Sequence, residues 1–519
     1  MATQEKSMIN SFTSSFTSWK APFTPMPPAF SLSVSSPGRP VVHLRGDLTI
    51  QANLVLEALR RVNQAHHRIF QQGRRLVRRI HDPLTDRNRL EPIGSSKLLA
   101  GEIVRLLQLE KNGRTLEALP GPLAEHLFGL EPEQWQVPML HAIRHVPFFD
   151  PQGNLIETGG YHAPQGIWLD LGDLKLPEVP FHPTHAQVSS AKALIDDLLA
   201  DFPFDSTASR ANALSLILLP SVRLMVHGPA PLFLNSASMP GSGKTALAQV
   251  PGVLYGGKIP AVMPEPPKDD EELTKRIVGV LQAGQELAIF DNVNRKLDSS
   301  ILAGLATSTT FSGRALYQQE PLSLPNRTQW VFTANNPVMS KEFERRFLLI
   351  RLDPGVENPQ NRTFRHPDLH QWILAHRPEL LWAVLVLVRS WQAAGSPSGA
   401  VLEGGMRQFC EVMGGLTEFL GFDPVFANRA ELTEQAGGDD QDLGEALECW
   451  FGAHATRPVT ASDLGQLWEK AGVQPSGLNG YTAVHIGRYM QAQRGVVLGR
   501  YRINLSRSGR NTRYHLSLV

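Results

Sequence analysis

The chain has only two cysteines in 519 residues, Cys410 and Cys449, and they are far apart. A disulfide framework or a zinc ribbon needs several cysteines at close spacing. Both are therefore excluded, and a reducing compartment, the cytoplasm, is the natural expectation. No apolar run approaches the ~18 residues that a membrane-spanning helix needs. The longest runs, around Leu214 to Leu219 and Leu380 to Val388, are of core-helix length, so no membrane contact is expected. The first forty residues lack the apolar centre of a secretory leader; rich in Ser, Pro, Thr and Phe, they read as a flexible tail. His66, His67, His141 and His145 have no cysteine or acid at ligand spacing, which leaves them as packed or solvated side chains. Net charge is only +1, so any nucleic-acid surface must come from local clustering rather than from the chain as a whole. With 42% apolar and 19% charged residues, the composition is that of a globular protein, and the length suggests about three or four domains.

What is present is concentrated between residues 231 and 352. The apolar run Pro231 to Leu234 reads as a buried strand, and Ser238-Met239-Pro240-Gly241-Ser242-Gly243-Lys244-Thr245 follows it. Small residues let a backbone wrap closely around phosphate oxygens. The helix expected from Ala246 onward presents its N-terminal N–H groups to an anion. ATP binding is therefore assigned to Pro240, Gly241, Ser242, Gly243, Lys244 and Thr245. Lys244 would reach the β- and γ-phosphates, and the Thr245 hydroxyl would ligate Mg²⁺. Ser238 stands where such a loop usually begins with Gly.

Further along, Leu287-Ala288-Ile289-Phe290-Asp291-Asn292 is an apolar strand ending in an acid, the placement a Mg²⁺-water ligand requires. Many such ATPases put Glu after this Asp to activate the attacking water. Here Asn292 follows, so either Asn292 orients the water or an acid comes from elsewhere, Glu271 and Glu272 being candidates. Gln329 to Pro337 reads as another strand, with Asn335 placed to hold the attacking water. The pair Arg345-Arg346 shortly after it suits an arginine finger acting on a neighbouring subunit. Between these lie Phe311 to Tyr317 and Pro321 to Arg327, a β-prone stretch broken by Gly and Pro that fits a hairpin. Arg314 is its candidate DNA contact, with an ordinary core loop as the alternative.

This order of motifs resembles the AAA+ replicative helicases, or primase-helicases, of phages, plasmids and integrative elements, which are related to superfamily 3 viral helicases. Asn361 to Leu369, Trp391 to Gly395, Met413 to Leu416 and Gly159 to Leu169 resemble further segments of the same proteins. The resemblance implies ATP- and Mg²⁺-dependent unwinding of DNA by a homo-hexameric ring during replication of a mobile element. It implies Lys244 and Thr245 on the nucleotide, Asp291 on the metal, Asn335 as sensor and Arg345 or Arg346 as finger. Thr333-Ala334-Asn335 departs from the more usual Thr-Gly-Asn. No zinc-binding or catalytic primase motif is visible, so primase or primase-polymerase activity is expected from a separate partner.

Outside the core, the nine arginines between Arg60 and Arg89 make a basic stretch, read either as a solvated face or as a nucleic-acid contact. The C-terminal segment Tyr481 to Val519 contains Arg488, Arg494, Arg500, Arg502, Arg507, Arg510 and Arg513 and no acid. A helix over Thr482 to Arg494, strands over Val496 to Leu505 and Tyr514 to Leu518, and two upstream helices match a winged helix with Arg488, Arg494, Arg502, Arg507, Arg510 and Arg513 on DNA. The expected organisation is α/β: a tail over 1–40, an N-terminal α/β domain over 41–184, an AAA+ P-loop ATPase core over 185–360, a helical region and linker over 361–440, and a winged-helix domain over 441–519. The alternative function is an ATP-dependent DNA-binding initiator, loader or regulator without processive unwinding.

Overall fold

The computed structural model describes residues 38–518 apart from 84–85, 238, 315–320, 336, 338, 340, 357, 401–405, 430–437, 476–477, 495–496, 499 and 509–510. The expected N-terminal segment is divided. Residues 38–65 with Gly94–Leu130 form one compact unit, and His66–Ile93 with the described residues from Glu131 onward form the other.

In the first unit, strand Val41–His43 runs parallel to Gln108–Lys111, which pairs antiparallel with Arg114–Leu116. Helices Leu48–His66, Ser96–Leu106 and Gly121–Phe128 accompany them. The Ser95 hydroxyl caps the second helix by accepting the Leu98 N–H.

The second unit is built on a four-stranded sheet in the order Leu287–Val293, Gln329–Asn335, Leu232–Ala237, Phe347–Leu352, with every pairing parallel. Strand Leu232–Ala237 is buried at every position, as expected for the middle of a parallel sheet covered on both faces. Helix Lys244–Gly256 covers part of it. Helix Thr207–Val222 is buried over almost its whole length because it touches both the edge strand Phe347–Leu352 and helix Arg377–Ala393. Its one buried amide, Asn212, is satisfied by donating to the Leu349 carbonyl at 2.7 Å. A fifth position beside the sheet is held by a single residue, Met263, which bridges in parallel to Phe290. The hairpin predicted before the third motif is present as Thr310–Arg314 paired with Pro321–Pro325.

His67, at φ +46°, ends helix Leu48–His66 before strand Ile69–Gln72 begins. That strand, Arg75–Asp82 and Arg87–Pro92 form an antiparallel sheet. Strands Gly160–His162 and Ile167–Leu169 form a hairpin.

At the C-terminus, helices Gly438–His454, Ala461–Ala471 and Ala483–Ala492 precede a hairpin of Tyr501–Ser508 with Asn511–Leu518, and Val459 bridges to Tyr514. Trp450, Trp468, Ile486, Met490, Ile503 and Leu516 form the core of this segment. Thr460 and Asp463 cap the second helix reciprocally. Three expectations are corrected. The stretch Val496 to Leu505 is split into Val497–Leu498 and Tyr501–Ser508, which fold back on each other. The residues between the two expected strands, Ser506 to Thr512, are mostly strand, because ladder pairing continues to Ser508 and Asn511. The first of the three helices begins at Gly438, inside the segment expected as helical region and linker. No single helix among the described residues is long and apolar enough to cross a membrane.

Candidate functional site

In a parallel sheet all strands end on the same edge, so residues at strand C-termini converge there from distant parts of the chain. Three strands of the central sheet end this way. The loop after Leu232–Ala237 turns through Gly241 (φ +75°) and Gly243 (φ +95°), conformations that glycine adopts without Cβ strain. Helix Lys244–Gly256 starts at once from Gly243. Pro240 and Gly241 are exposed, whereas Ser242 is buried and its hydroxyl donates to the Met239 carbonyl at 2.7 Å, fixing the loop from inside. Asn235 donates to the Lys244 carbonyl at 3.1 Å.

Lys244 is 8% exposed, and its ammonium donates to Asn335 Oδ1 at 2.7 Å and to the Met239 carbonyl at 3.2 Å. Burial pushes its pKa below the ordinary lysine value, and the Asp291 carboxylate partly opposes that. The Thr245 hydroxyl donates to Asp291 Oδ1 at 2.7 Å, and Thr333 donates to the same oxygen at 2.6 Å. The residues predicted from three separate motifs are thus one hydrogen-bonded cluster: Lys244 with Asn335, Thr245 with Asp291.

Asn292 sits at φ +54°, where the ladder register shifts between Phe290 and Val293. Asn tolerates this left-handed conformation better than most residues, which gives a local reason for Asn at this position. Its N–H donates to the Thr333 hydroxyl at 2.8 Å, and its side chain is exposed. Glu271 and Glu272 are engaged elsewhere, pairing with Lys275 and Arg276 one helical turn on.

A different acid reaches this edge. Met263 accepts from the Asp291 N–H and donates to the Ile289 carbonyl, each at 2.8 Å, so its segment runs parallel to the Asp291 strand. Glu265, two residues on, accepts the Asn294 N–H at 3.2 Å and pairs with Arg295 at 2.9 Å. Sequence reasoning missed Glu265 because a strand reduced to one bridging residue has no pattern to read. Phe202 and Gln360 were missed because they come to the loop from distant segments with no local pattern. A Cβ placed on Gly243 would lie 3.5 Å from the Phe202 ring, and one on Gly241 3.6 Å from Gln360 Oε1.

Arg345 is exposed and Arg346 half-buried, directly before the edge strand. Arg314 is exposed at the last pair of its hairpin, opposite Pro321, and the tip beyond it lies outside the described residues. Of the C-terminal arginines, Arg488, Arg494, Arg502 and Arg513 are exposed. Arg502 faces Ser517 and Arg513 faces Ser506, which puts both on one side of the hairpin. Arg507 lies on strand Tyr501–Ser508, and Arg510 lies outside the described residues. Arg500 is drawn to Glu448 at 3.2 Å. In the earlier basic stretch, Arg78 pairs with Glu91, Arg74 with Glu131, and Arg79 stacks 3.9 Å above the Trp168 ring. Several of these charges are therefore already matched. Among the described residues, no group of three or more His, Cys, Asp or Glu side chains could hold a metal ion.

No family model and no curated protein matches the chain. Similar solved structures include the A-form apo structure of the NrS-1 C-terminal region, at 13% identity and TM-score 0.39, covering 88% of this chain and 98% of that one. The JCV helicase structure is 14% identical with TM-score 0.22, covering 46% of this chain and 68% of that one. The active helicase SCCmec type IV Cch is 9% identical with TM-score 0.29, covering 86% and 94%. With identity and TM-score this low, the functional reading rests on the chain's own residues.

Proposed function

We propose that this chain is an ATP-dependent DNA helicase with an AAA+-type core, working as a homo-hexameric ring in the replication of a mobile element. The observation that carries the reading is the meeting of Lys244, Thr245, Asp291 and Asn335 at one edge of the parallel sheet. The residues fit a magnesium–nucleotide. Two left-handed glycines open a cradle at a helix N-terminus, a buried ammonium enters it, and a hydroxyl and a carboxylate oxygen lie side by side where a hard cation needs oxygen donors. Mg²⁺-ATP supplies the phosphoanhydride whose cleavage drives movement.

The protein's own groups divide the remaining work. Lys244 neutralises phosphate charge, and Asn335, tied to it, reports on that charge and orients water. Thr245 and Asp291 hold the metal, and exposed Arg345 suits a finger offered to the neighbouring subunit better than half-buried Arg346. Glu265 takes the base role that Asn292 leaves open, reaching the edge from the neighbouring segment. Arg314 on its hairpin grips the DNA backbone, and the C-terminal segment, read as a winged helix, adds phosphate contacts. Primase activity belongs to a separate partner.

The experiment is strand displacement on a forked DNA with Mg²⁺-ATP, beside Lys244→Ala. Displacement by the wild type and none by the variant is expected. DNA-stimulated ATP hydrolysis without displacement would replace the helicase reading with an initiator, loader or regulator. Full hydrolysis by Lys244→Ala would refute the site itself.

A further inference from the structure

At the opposite edge of the central sheet, where strands Leu287–Val293 and Gln329–Asn335 begin, lies a cavity of about 50 Å³. Three arginines line it, Arg144, Arg223 and Arg327, with one carboxylate, Glu286, and His141. Glu286 is engaged by Arg144, whose guanidinium also donates to the Pro220 carbonyl at 2.5 Å. Among the described residues, Arg223 and Arg327 have only neutral partners. Arg223 donates to the Val226 and Asn326 carbonyls at 3.0 and 2.9 Å, and Arg327 to the Gln165 carbonyl at 2.9 Å. Arg144 is 4% and Arg223 8% exposed. Arg223 Nε and His141 Nδ1 have no hydrogen-bond partner among the described residues.

Carbonyl oxygens satisfy guanidinium hydrogens but do not cancel charge. A buried charge without a counter-charge costs several kcal/mol even after relaxation, and here buried Arg223 and half-buried Arg327 face one cavity. Their mutual effect is visible: burial and then Arg327 bring Arg223 down to about 10, and burial and then Arg144 lower Arg327. Burial and then Arg327 hold His141 at about 4, so it adds no charge near neutral pH and can accept or donate a hydrogen bond.

We infer that this cavity is a binding site for a small dianionic oxyanion of the phosphate class, held by Arg223 and Arg327 with Arg144 beside them. The size agrees: by this measure a water takes ~10–15 Å³, so the space holds a phosphate-sized group. The site is distinct from the nucleotide cluster, whose Asp291 and Asn335 lie at the other ends of these two strands. Leu324 and Pro325 at the foot of the Arg314 hairpin also line it, so an occupied site would brace that hairpin's base.

The test is thermal unfolding and titration calorimetry with inorganic phosphate, at constant ionic strength and against chloride. Both are run on the Lys244→Ala protein, so that the nucleotide loop does not contribute. A saturable rise of a few degrees in Tm and a saturable heat are expected, both lost in Lys244→Ala/Arg223→Met and in Lys244→Ala/Arg327→Gln. Without phosphate, the Arg223→Met protein should unfold no earlier than its parent, because an uncompensated charge has gone. Absence of a saturable response, or the same response in both double variants, would overturn the site while leaving the helicase reading untouched.

Discussion

At the scale of single residues, the site is decided by which oxygens and nitrogens meet at the sheet edge. Asp291 Oδ1 accepts from both Thr245 and Thr333, so its carboxylate is held in one orientation. Asn292 is fixed by backbone conformation rather than by a partner for its side chain. If Glu265 supplies the water-activating base, as proposed, Glu265→Gln should keep ATP binding while turnover falls by about 10²–10⁴-fold, the usual worth of a positioned base. Single-turnover hydrolysis with separately measured nucleotide affinity checks this. Arg295→Gln, which removes only the partner of Glu265, should move turnover far less. Wild-type turnover in Glu265→Gln would return the role to Asn292 or to a residue outside this edge. Lys244 and Thr245 were legible in the sequence because they close a loop of small residues before a helix, and Asp291 and Asn335 because each ends an apolar run. Glu265, Phe202 and Gln360 were not, because their closeness to the loop depends on chain crossings without a local pattern.

At the scale of elements, the C-terminal hairpin shows how strand alternation sorts charge. Tyr501 and Ile503 are buried and Arg502 between them is exposed; Tyr514 and Leu516 are buried and Arg513 is exposed. Period two puts Arg502 and Arg513 on the solvent side together, and Arg488 stands exposed on helix Ala483–Ala492. If these three contact DNA phosphates, replacing all three with Ala should lower the slope of log affinity against log salt by about 2–3, since each neutralised phosphate contributes roughly 0.9. Fluorescence anisotropy across a salt series checks this. Arg500→Ala should change the slope less, because Glu448 already takes up that charge. An unchanged slope in the triple variant would move the DNA surface elsewhere. The element types here were readable from hydrophobic period, while the break between Leu498 and Tyr501 and the length of the ladder were set by pairing across the hairpin.

At the scale of the whole molecule, the second unit buries histidines in an environment hostile to their charged form. His141, His145 and His370 are all held below the ordinary histidine value, chiefly by burial, His141 at about 4. Between that value and about 6.5, the usual histidine pKa, the unfolded chain binds protons that the folded chain refuses. Stability should therefore rise with pH through this window and be lost as pH falls from about 6.5 toward 4. Tm measured from pH 7 to 4.5 should drop, and His141→Gln should flatten the curve. A Tm independent of pH in this window would mean that these rings are solvated in the folded protein.

The sequence by itself determined the order of strands and helices around residues 231–352, the glycine-bearing loop, and the polar residues at the strand ends, because apolar runs, turn residues and helix starts are local signals. Tertiary structure decided which strands became neighbours. It brought Asn335 to Lys244 and Asp291 to Thr245, put Glu265 at the same edge, and gathered Arg144, Arg223 and Arg327 around one cavity. Strand order in a parallel sheet is set by crossovers between distant segments, and the charge balance of a buried cavity is set by everything packed around it. Neither is written in any one stretch of chain.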